Sequence, residues 1–110
     1  MVAGPIQQVI HAYLNAAEDA GIPVHKAILF GSQARGDANE YSDIDLVIVS
    51  PALEPPRAQS LIATLWGLRV NTDSRIEPVA CGEREWETDD TRIILEVARR
   101  EGVIVPLSSK

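Results

Sequence analysis

The chain has 110 residues, of which 45% are hydrophobic and 24% are charged, and its formal net charge is -6. These proportions are typical of a globular protein, and we expect one domain over residues 1–110. The acidic balance argues against nucleic acid as a partner, because binding to its backbone depends on Lys and Arg. A single cysteine, Cys81, excludes an intramolecular disulfide and indicates a reducing, cytoplasmic location. No apolar run is long enough to predict a membrane span.

The first half of the chain predicts one helix and two strands. Apolar residues recur with helical spacing over residues 6–20, and Gly21 suits the end of that helix. Residues 27–30 and 43–49 are short apolar runs, which are typical of strands buried on both faces. Three prolines in residues 50–56 predict a loop.

The second half predicts a helix, a strand, a further helix and a short final strand. Helical spacing over residues 57–68 places four residues inward: Leu61, Ile62, Leu65 and Trp66. Residues 74–80 indicate a strand, although Pro78 lacks the N–H that a sheet ladder uses. The last helix is expected over residues 91–100, capped by the Asp-Asp-Thr segment 89–91. Its inward residues are Ile93, Ile94, Val97 and Ala98.

This order of elements predicts an α/β (α+β) fold, in which helices pack on a small mixed sheet. Residues 103–105 are expected to form an edge strand, and residues 108–110 a loose tail.

Two aspartates head the second predicted strand. Asp43 and Asp45 are two residues apart, so their side chains share one face of the sheet. Carboxylates this close repel each other and resist ionisation unless a positive charge lies between them. No Lys or Arg follows the same alternation, so a divalent cation is the simplest partner. Oxygen ligands favour magnesium, which commonly binds one or two carboxylates together with substrate phosphates.

A Gly-Ser pair follows the first predicted strand directly. Gly31 allows the backbone to approach a ligand closely, and Ser32 offers a hydroxyl at the start of a short helix. Backbone N–H groups at a helix start favour phosphate, and Arg35 can add a charge-assisted hydrogen bond. The segment is not a P-loop, because the Gly-Lys-Ser/Thr ending is absent. The two halves of the motif together therefore predict hydrogen-bond donors for a phosphate next to metal ligands.

The combination of Gly31-Ser32, a ten-residue gap and Asp43-x-Asp45 resembles the signature of the DNA polymerase beta nucleotidyltransferase superfamily. The fuller string, Gly-Ser-x-Ala-Arg-Gly followed by Ser-Asp-Ile-Asp-Leu, is similar to its minimal nucleotidyltransferase branch, which includes antitoxins paired with HEPN-domain toxins. The resemblance implies that Gly31, Ser32 and Arg35 bind the triphosphate. It also implies that Asp43 and Asp45 bind two catalytic magnesium ions.

The family uses a third carboxylate on a neighbouring strand, and Glu77 is the candidate here for catalysis and metal binding. Family members often have Asp at this place, so Glu77 departs from the pattern, and the alternative is an exposed strand charge. The resemblance implies ATP or another nucleoside triphosphate as substrate and a hydroxyl acceptor. The acceptor is expected on a HEPN-type partner protein, or in a cleft between copies of this chain. Two alternatives remain: an aminoglycoside-type small-molecule acceptor, and a non-catalytic binding module with a vestigial nucleotide site.

Overall fold

The computed structural model describes residues 4–107, which form five helices, four strands and two short 3₁₀ segments. The helices are α1 (Gly4–Asp19), α2 (Ser32–Arg35), α3 (Gln59–Gly67), α4 (Glu83–Thr88) and α5 (Ile93–Glu101). The strands are β1 (Lys26–Phe30), β2 (Ile44–Val49), β3 (Ile76–Cys81) and β4 (Val103–Ile104). The predicted tail at residues 108–110 lies outside the described residues. Within them, no helix combines the length and apolar character that crossing a bilayer needs.

The four strands form one mixed sheet in the order β3-β2-β1-β4. β1 lies antiparallel to both β2 and β4, whereas β2 and β3 are parallel. This confirms the predicted mixed sheet and the short edge strand near the C-terminus. The register places Asp45 opposite Phe30 on β1 and opposite Glu77 on β3.

Both faces of the sheet are covered, which explains why the central strands are apolar throughout. On one face, α1 and α3 pack over β-strand residues that include Ala27, Leu29 and Leu46. On the other face, α5 packs over residues that include Ile28 and Val47. Alternate residues of β1 and β2 therefore enter separate cores, and the predicted two-sided burial is confirmed.

The buried Tyr13 joins α1 to α3. Its hydroxyl donates a 2.7 Å hydrogen bond to the carbonyl oxygen of Leu65, so the polar end of the ring is satisfied inside the core. Burial raises the pKa of Tyr13, and the charge of Arg69 opposes that rise only in part. The side chain is therefore neutral at physiological pH and acts as an apolar spacer with one polar contact.

The strand β3 forms despite Pro78, because this proline lies on an edge. The carbonyl oxygens of Arg75 and Cys81 accept hydrogen bonds from Ile44 and Ser50, so alternate residues of β3 turn their backbone groups toward β2. Pro78 falls between those positions, and its missing N–H faces the unpaired side. Proline at that place costs no ladder hydrogen bond and blunts the edge against pairing with another strand.

The orientation predicted for the last helix is wrong in part. Leu95 and Ala98 are buried, whereas Ile93 is 80% exposed and Ile94 is 41% exposed. The helix begins at Ile93 rather than at Thr91, because Asp89 accepts hydrogen bonds from Thr91 in the preceding turn instead of capping the helix.

Two further local predictions are corrected by the structure. Helix α3 begins at Gln59 rather than at Arg57, whose guanidinium contacts Leu53 and Glu85. Trp66 was expected to face inward, but it is 41% exposed and lies under the guanidinium of Arg69. Helix α4 was not predicted at all, since its six residues are too few to show a period.

Candidate active site

The two motif halves meet at one edge of the sheet. Asp45 is the second residue of β2, and Asp43 precedes that strand by one residue. Asp45 lies opposite Glu77 in the register of β2 and β3. The Ile44 N–H donates a 2.8 Å hydrogen bond to the carbonyl oxygen of Arg75, which fixes the starts of the two strands relative to each other. The three predicted carboxylates thus share one region, on the face that α5 covers further along.

Gly31 packs directly against the carboxylate of Asp45. Its φ is 75° and its ψ is -155°, a combination that only glycine adopts readily. A Cβ atom at this position would collide with Oδ2 of Asp45. Glycine is therefore needed here both for the backbone conformation and for space, and the turn after β1 lies against Asp45.

The electrostatics of Asp45 are unfavourable for an isolated carboxylate. Burial raises its pKa above the ordinary value of 3.8, and the charges of Asp43 and Glu77 raise it further. The nearby Arg35 opposes these effects in part. A cation at this position would therefore relieve both burial and repulsion, which fits the oxygen donor set that magnesium prefers.

The carboxylates do not form a finished metal cage. Among residues 4–107, no group of three or more His, Cys, Asp or Glu side chains is arranged to hold a metal ion. Asp43 is exposed and Asp45 and Glu77 are partly buried, so the group opens toward solvent. This arrangement suits an ion that takes part of its coordination from water and substrate phosphates rather than from the protein alone.

Ser32 begins α2 immediately after Gly31, as the sequence predicted. The carbonyl oxygen of Gly31 accepts hydrogen bonds from the N–H groups of Ala34 and Arg35, which closes this single turn of helix. Within the part of the chain that the structure describes, the Ser32 hydroxyl makes no hydrogen bond with another residue. Its hydroxyl is thus available to a ligand beside Asp45.

Arg35 is the last residue of α2, and it is paired with carboxylates in this structure. Its Nε donates to Asp37 at 3.3 Å, and its Nη1 donates to Glu101 at 3.2 Å. Sequence reasoning did not find Glu101, because this residue lies at the far end of α5 and only the tertiary fold brings it to the motif. Its acidic character at a helix C-terminus, where the dipole disfavours it, was the available signal.

A second group of charges was also missed from the sequence. Glu85 is only 7% exposed and contacts both Arg57 and Arg92 at 2.8 Å. Burial alone would raise its pKa, but hydrogen bonds from Arg57, the Gly82 N–H and Arg92 outweigh burial and lower the pKa to about 2. These contacts tie α4 to the segments on either side of it, so Glu85 has a structural role.

Other reactive side chains lie away from the carboxylates. Burial raises the pKa of Cys81 to about 12, so the thiol is not a nucleophile near neutral pH. His25 contacts Glu83 at 2.7 Å, and His11 contacts the carbonyl oxygen of Pro106 at 2.8 Å. A groove of about 300 Å³ lies beside β3, lined by Trp66 and Ile94 among others, and it does not include the aspartates.

Comparisons with known proteins identify the family and the fold. A family model described as the nucleotidyltransferase domain matches residues 13–99. A Sulfolobus solfataricus protein assigned as a nucleotidyltransferase has 16% sequence identity and a TM-score of 0.66, with 91% of this chain and 78% of that chain covered. A toxin-antitoxin structure with AMP-PNP has 19% identity and a TM-score of 0.55, with 94% of this chain and 74% of that chain covered. No curated protein matches the chain.

The two structural matches show a shared fold only, because sequence identities this low do not establish a shared function. The family match is broader evidence, because residues 13–99 contain both halves of the motif and all the strands except β4. The chain therefore belongs to the nucleotidyltransferase domain family, in its minimal polymerase-beta type, and it is a nucleotidyltransferase enzyme.

Proposed function

We propose that this enzyme transfers a nucleoside monophosphate, AMP from ATP, to a hydroxyl group of a partner protein. In this proposal Mg²⁺ is held by Asp43, Asp45 and Glu77. The observation that carries it is the position of Asp45, a partly buried carboxylate whose pKa is raised by burial and by the charges of Asp43 and Glu77. An ionised site of this kind is unfavourable in the protein alone and becomes favourable when a cation binds, and the cation can then attract phosphates.

The chain supplies mainly positions and charges for the reaction. Bound Mg²⁺ supplies positive charge that offsets the charge developing on the phosphate oxygens. Gly31 keeps the turn close to Asp45, and the Ser32 hydroxyl and the Arg35 guanidinium contact the triphosphate. The acceptor oxygen forms a bond to the α-phosphorus while the bond from that phosphorus to the bridging oxygen breaks. Pyrophosphate leaves, and Glu77 accepts the hydroxyl proton.

A protein partner is favoured by the toxin-antitoxin structure whose fold this chain shares, and we propose that this partner carries the acceptor. By resemblance to the minimal nucleotidyltransferase branch, the partner is a HEPN-type protein modified on a hydroxyl side chain. A second copy of this chain and an aminoglycoside are the competing acceptors, and each is an outcome of the experiment below.

The test is transfer of label from ATP in the presence of Mg²⁺. We expect label from the α-phosphate, and not from the γ-phosphate, to appear on a HEPN-type partner protein. Asp45→Asn is expected to lower the rate about a thousandfold, since charge stabilisation by a bound metal is worth several kcal/mol and each 1.36 kcal/mol is a factor of ten. Removing Mg²⁺ with a chelator is expected to abolish transfer.

Glu40→Gln is a matched control, because Glu40 is an exposed acidic residue in the same segment and lies outside the carboxylate group. This variant is expected to keep the wild-type rate. Label on this chain or on an aminoglycoside would identify a different acceptor and contradict the partner assignment. Tight binding of the partner without label under any nucleotide would contradict the proposal and favour a binding module.

A further inference from the structure

Helix α5 contributes a side chain to the motif turn. Glu101, the last residue of α5, has a side chain that is 31% exposed, and it contacts Nη1 of Arg35 at 3.2 Å. The end of this helix is held firmly in place. The Gly102 N–H donates a 2.8 Å hydrogen bond to Ala98, and a Cβ at Gly102 would collide with Ala98 and with Ile28 on β1. Glu101 therefore projects from a helix end that packs closely against β1.

The guanidinium of Arg35 donates hydrogen bonds to two carboxylates. Its Nε donates to Asp37 on the motif loop, and its Nη1 donates to Glu101 on α5. An arginine has five N–H donors, so these contacts leave three of them. Among the described residues, 4–107, no other acceptor takes them. The remaining donors are carried by Nη1 and Nη2, which together present the fork that suits a phosphate.

The same guanidinium interacts electrostatically with Asp45. Its charge lowers the pKa of Asp45, in opposition to burial and the neighbouring carboxylates. Arg35 thus interacts with Asp45 through its charge and with Asp37 and Glu101 through hydrogen bonds. A flexible arginine loses several rotamers when it binds a ligand, at a cost that prior ordering avoids.

We propose that Glu101 is a positioning residue that orders Arg35 for the triphosphate before the nucleotide binds. This inference rests on the proposed function, since it assigns to Arg35 a phosphate contact. Glu101 does not touch the reacting atoms. It contributes by holding one edge of the guanidinium, while three N–H donors remain for the triphosphate.

The experiment compares steady-state kinetics of Glu101→Ala, Glu101→Gln and wild type at saturating acceptor. We expect Glu101→Ala to raise the KM for ATP about three- to tenfold with kcat changed less than twofold, because only the ordering of Arg35 is lost. Glu101→Gln keeps an oxygen that accepts a hydrogen bond. Its increase in log KM for ATP is expected to be no more than half of the increase that Glu101→Ala causes. In an Arg35→Ala background, Glu101→Ala is expected to change KM no further.

Glu96→Ala is the matched control, because Glu96 lies on the same helix and makes only a 3.9 Å surface pair with Arg100. It is expected to leave KM unchanged. The thermal midpoints of Glu101→Ala and Glu96→Ala are expected to agree within about 2 °C, since surface pairs contribute little to stability. A KM effect that persists without Arg35, or one that appears equally in Glu96→Ala, would overturn the inference.

A lower KM in Glu101→Ala would show that Glu101 competes with phosphate for Arg35, and it would also overturn the inference. Failure of the role proposed for Glu101 can be distinguished from failure of the proposed function. If wild type neither binds ATP nor transfers label, the proposed function fails and this inference fails with it. If wild type transfers label normally and Glu101→Ala has an unchanged KM, only the role of Glu101 is refuted.

Discussion

Acidic residues lie near both ends of β3, and the electrostatic surroundings at the two ends are opposite. Glu85 follows the C-terminal end of the strand and is paired with two arginines, so its pKa is lowered to about 2. Asp45 lies beside the N-terminal end, next to Glu77 and Asp43, and its pKa is raised. Glu85 is buried and surrounded by hydrogen-bond donors, whereas Asp45 is partly buried and lies among like charges.

This contrast separates structural from functional charge in the fold. A buried carboxylate that is paired with cationic side chains of the same protein stabilises the native state, because removing either partner leaves a buried charge without compensation. A carboxylate whose neighbours repel it lowers stability until a ligand supplies the missing charge. Glu85 is of the first kind, and we interpret Asp45 as the second.

The largest effect is expected at Glu85. Glu85→Gln removes the charge that Arg57 and Arg92 share, and we expect the free energy of unfolding to fall by about 3 kcal/mol. Since the folded pKa is lowered from 4.5, this contribution is present above pH 4.5 and is lost as the pH falls toward about 2. Urea denaturation at pH 7 and pH 3 measures both statements. Glu96→Gln is the exposed control, and a loss at Glu85 no larger than its loss would contradict the assignment.

A smaller effect is expected where the turn contacts Asp45. Gly31→Ala places a Cβ against the carboxylate at a positive φ, and we expect a loss of about 2–3 kcal/mol. Gly21→Ala is a matched control, because Gly21 also has a positive φ of 91° but has no atom within 4 Å of the position that a Cβ would take. That variant is expected to lose about 1 kcal/mol. Equal losses in chemical denaturation would show that the contact with Asp45 is unimportant.

The smallest effect has the opposite sign. Asp45→Asn removes a charge that its surroundings disfavour, so we expect the free energy of unfolding at pH 7 to rise by about 0.5–1 kcal/mol without Mg²⁺. Because the folded pKa is raised, the wild type loses stability as the pH rises from 3.8 through that folded pKa. The gain from Asn should therefore disappear below pH 3.8.

Asp73→Asn supplies the contrast for this last prediction. The hydrogen bond from Arg75 lowers the pKa of Asp73, so the charge of Asp73 stabilises the fold above the ordinary aspartate pKa. Asp73→Asn is expected to be less stable than wild type at pH 7. If Asp45→Asn also proved less stable, repulsion and burial at the active site would not outweigh the favourable contacts of the Asp45 carboxylate.

Local patterns were sufficient for much of the fold. The helical spacing of residues 6–20 and the apolar runs at β1 and β2 each identify an element, because the period of burial is written in consecutive residues. Helix α4 and the rotation of α5 escaped this reasoning. A helix of six residues shows little periodicity, and contacts made by Arg92 with Glu85 and Ala80 hold the start of α5.

Neighbouring residues alone define the two halves of the motif, since the alternation of Asp43 and Asp45 and the Gly-Ser turn are local properties of the chain. Packing selects the distant groups that join them. The pairing of β2 with β3 places Glu77 opposite Asp45, and the packing of α5 places Glu101 on Arg35. The physical reason is that register and helix packing depend on the summed burial of whole elements, which no local pattern encodes.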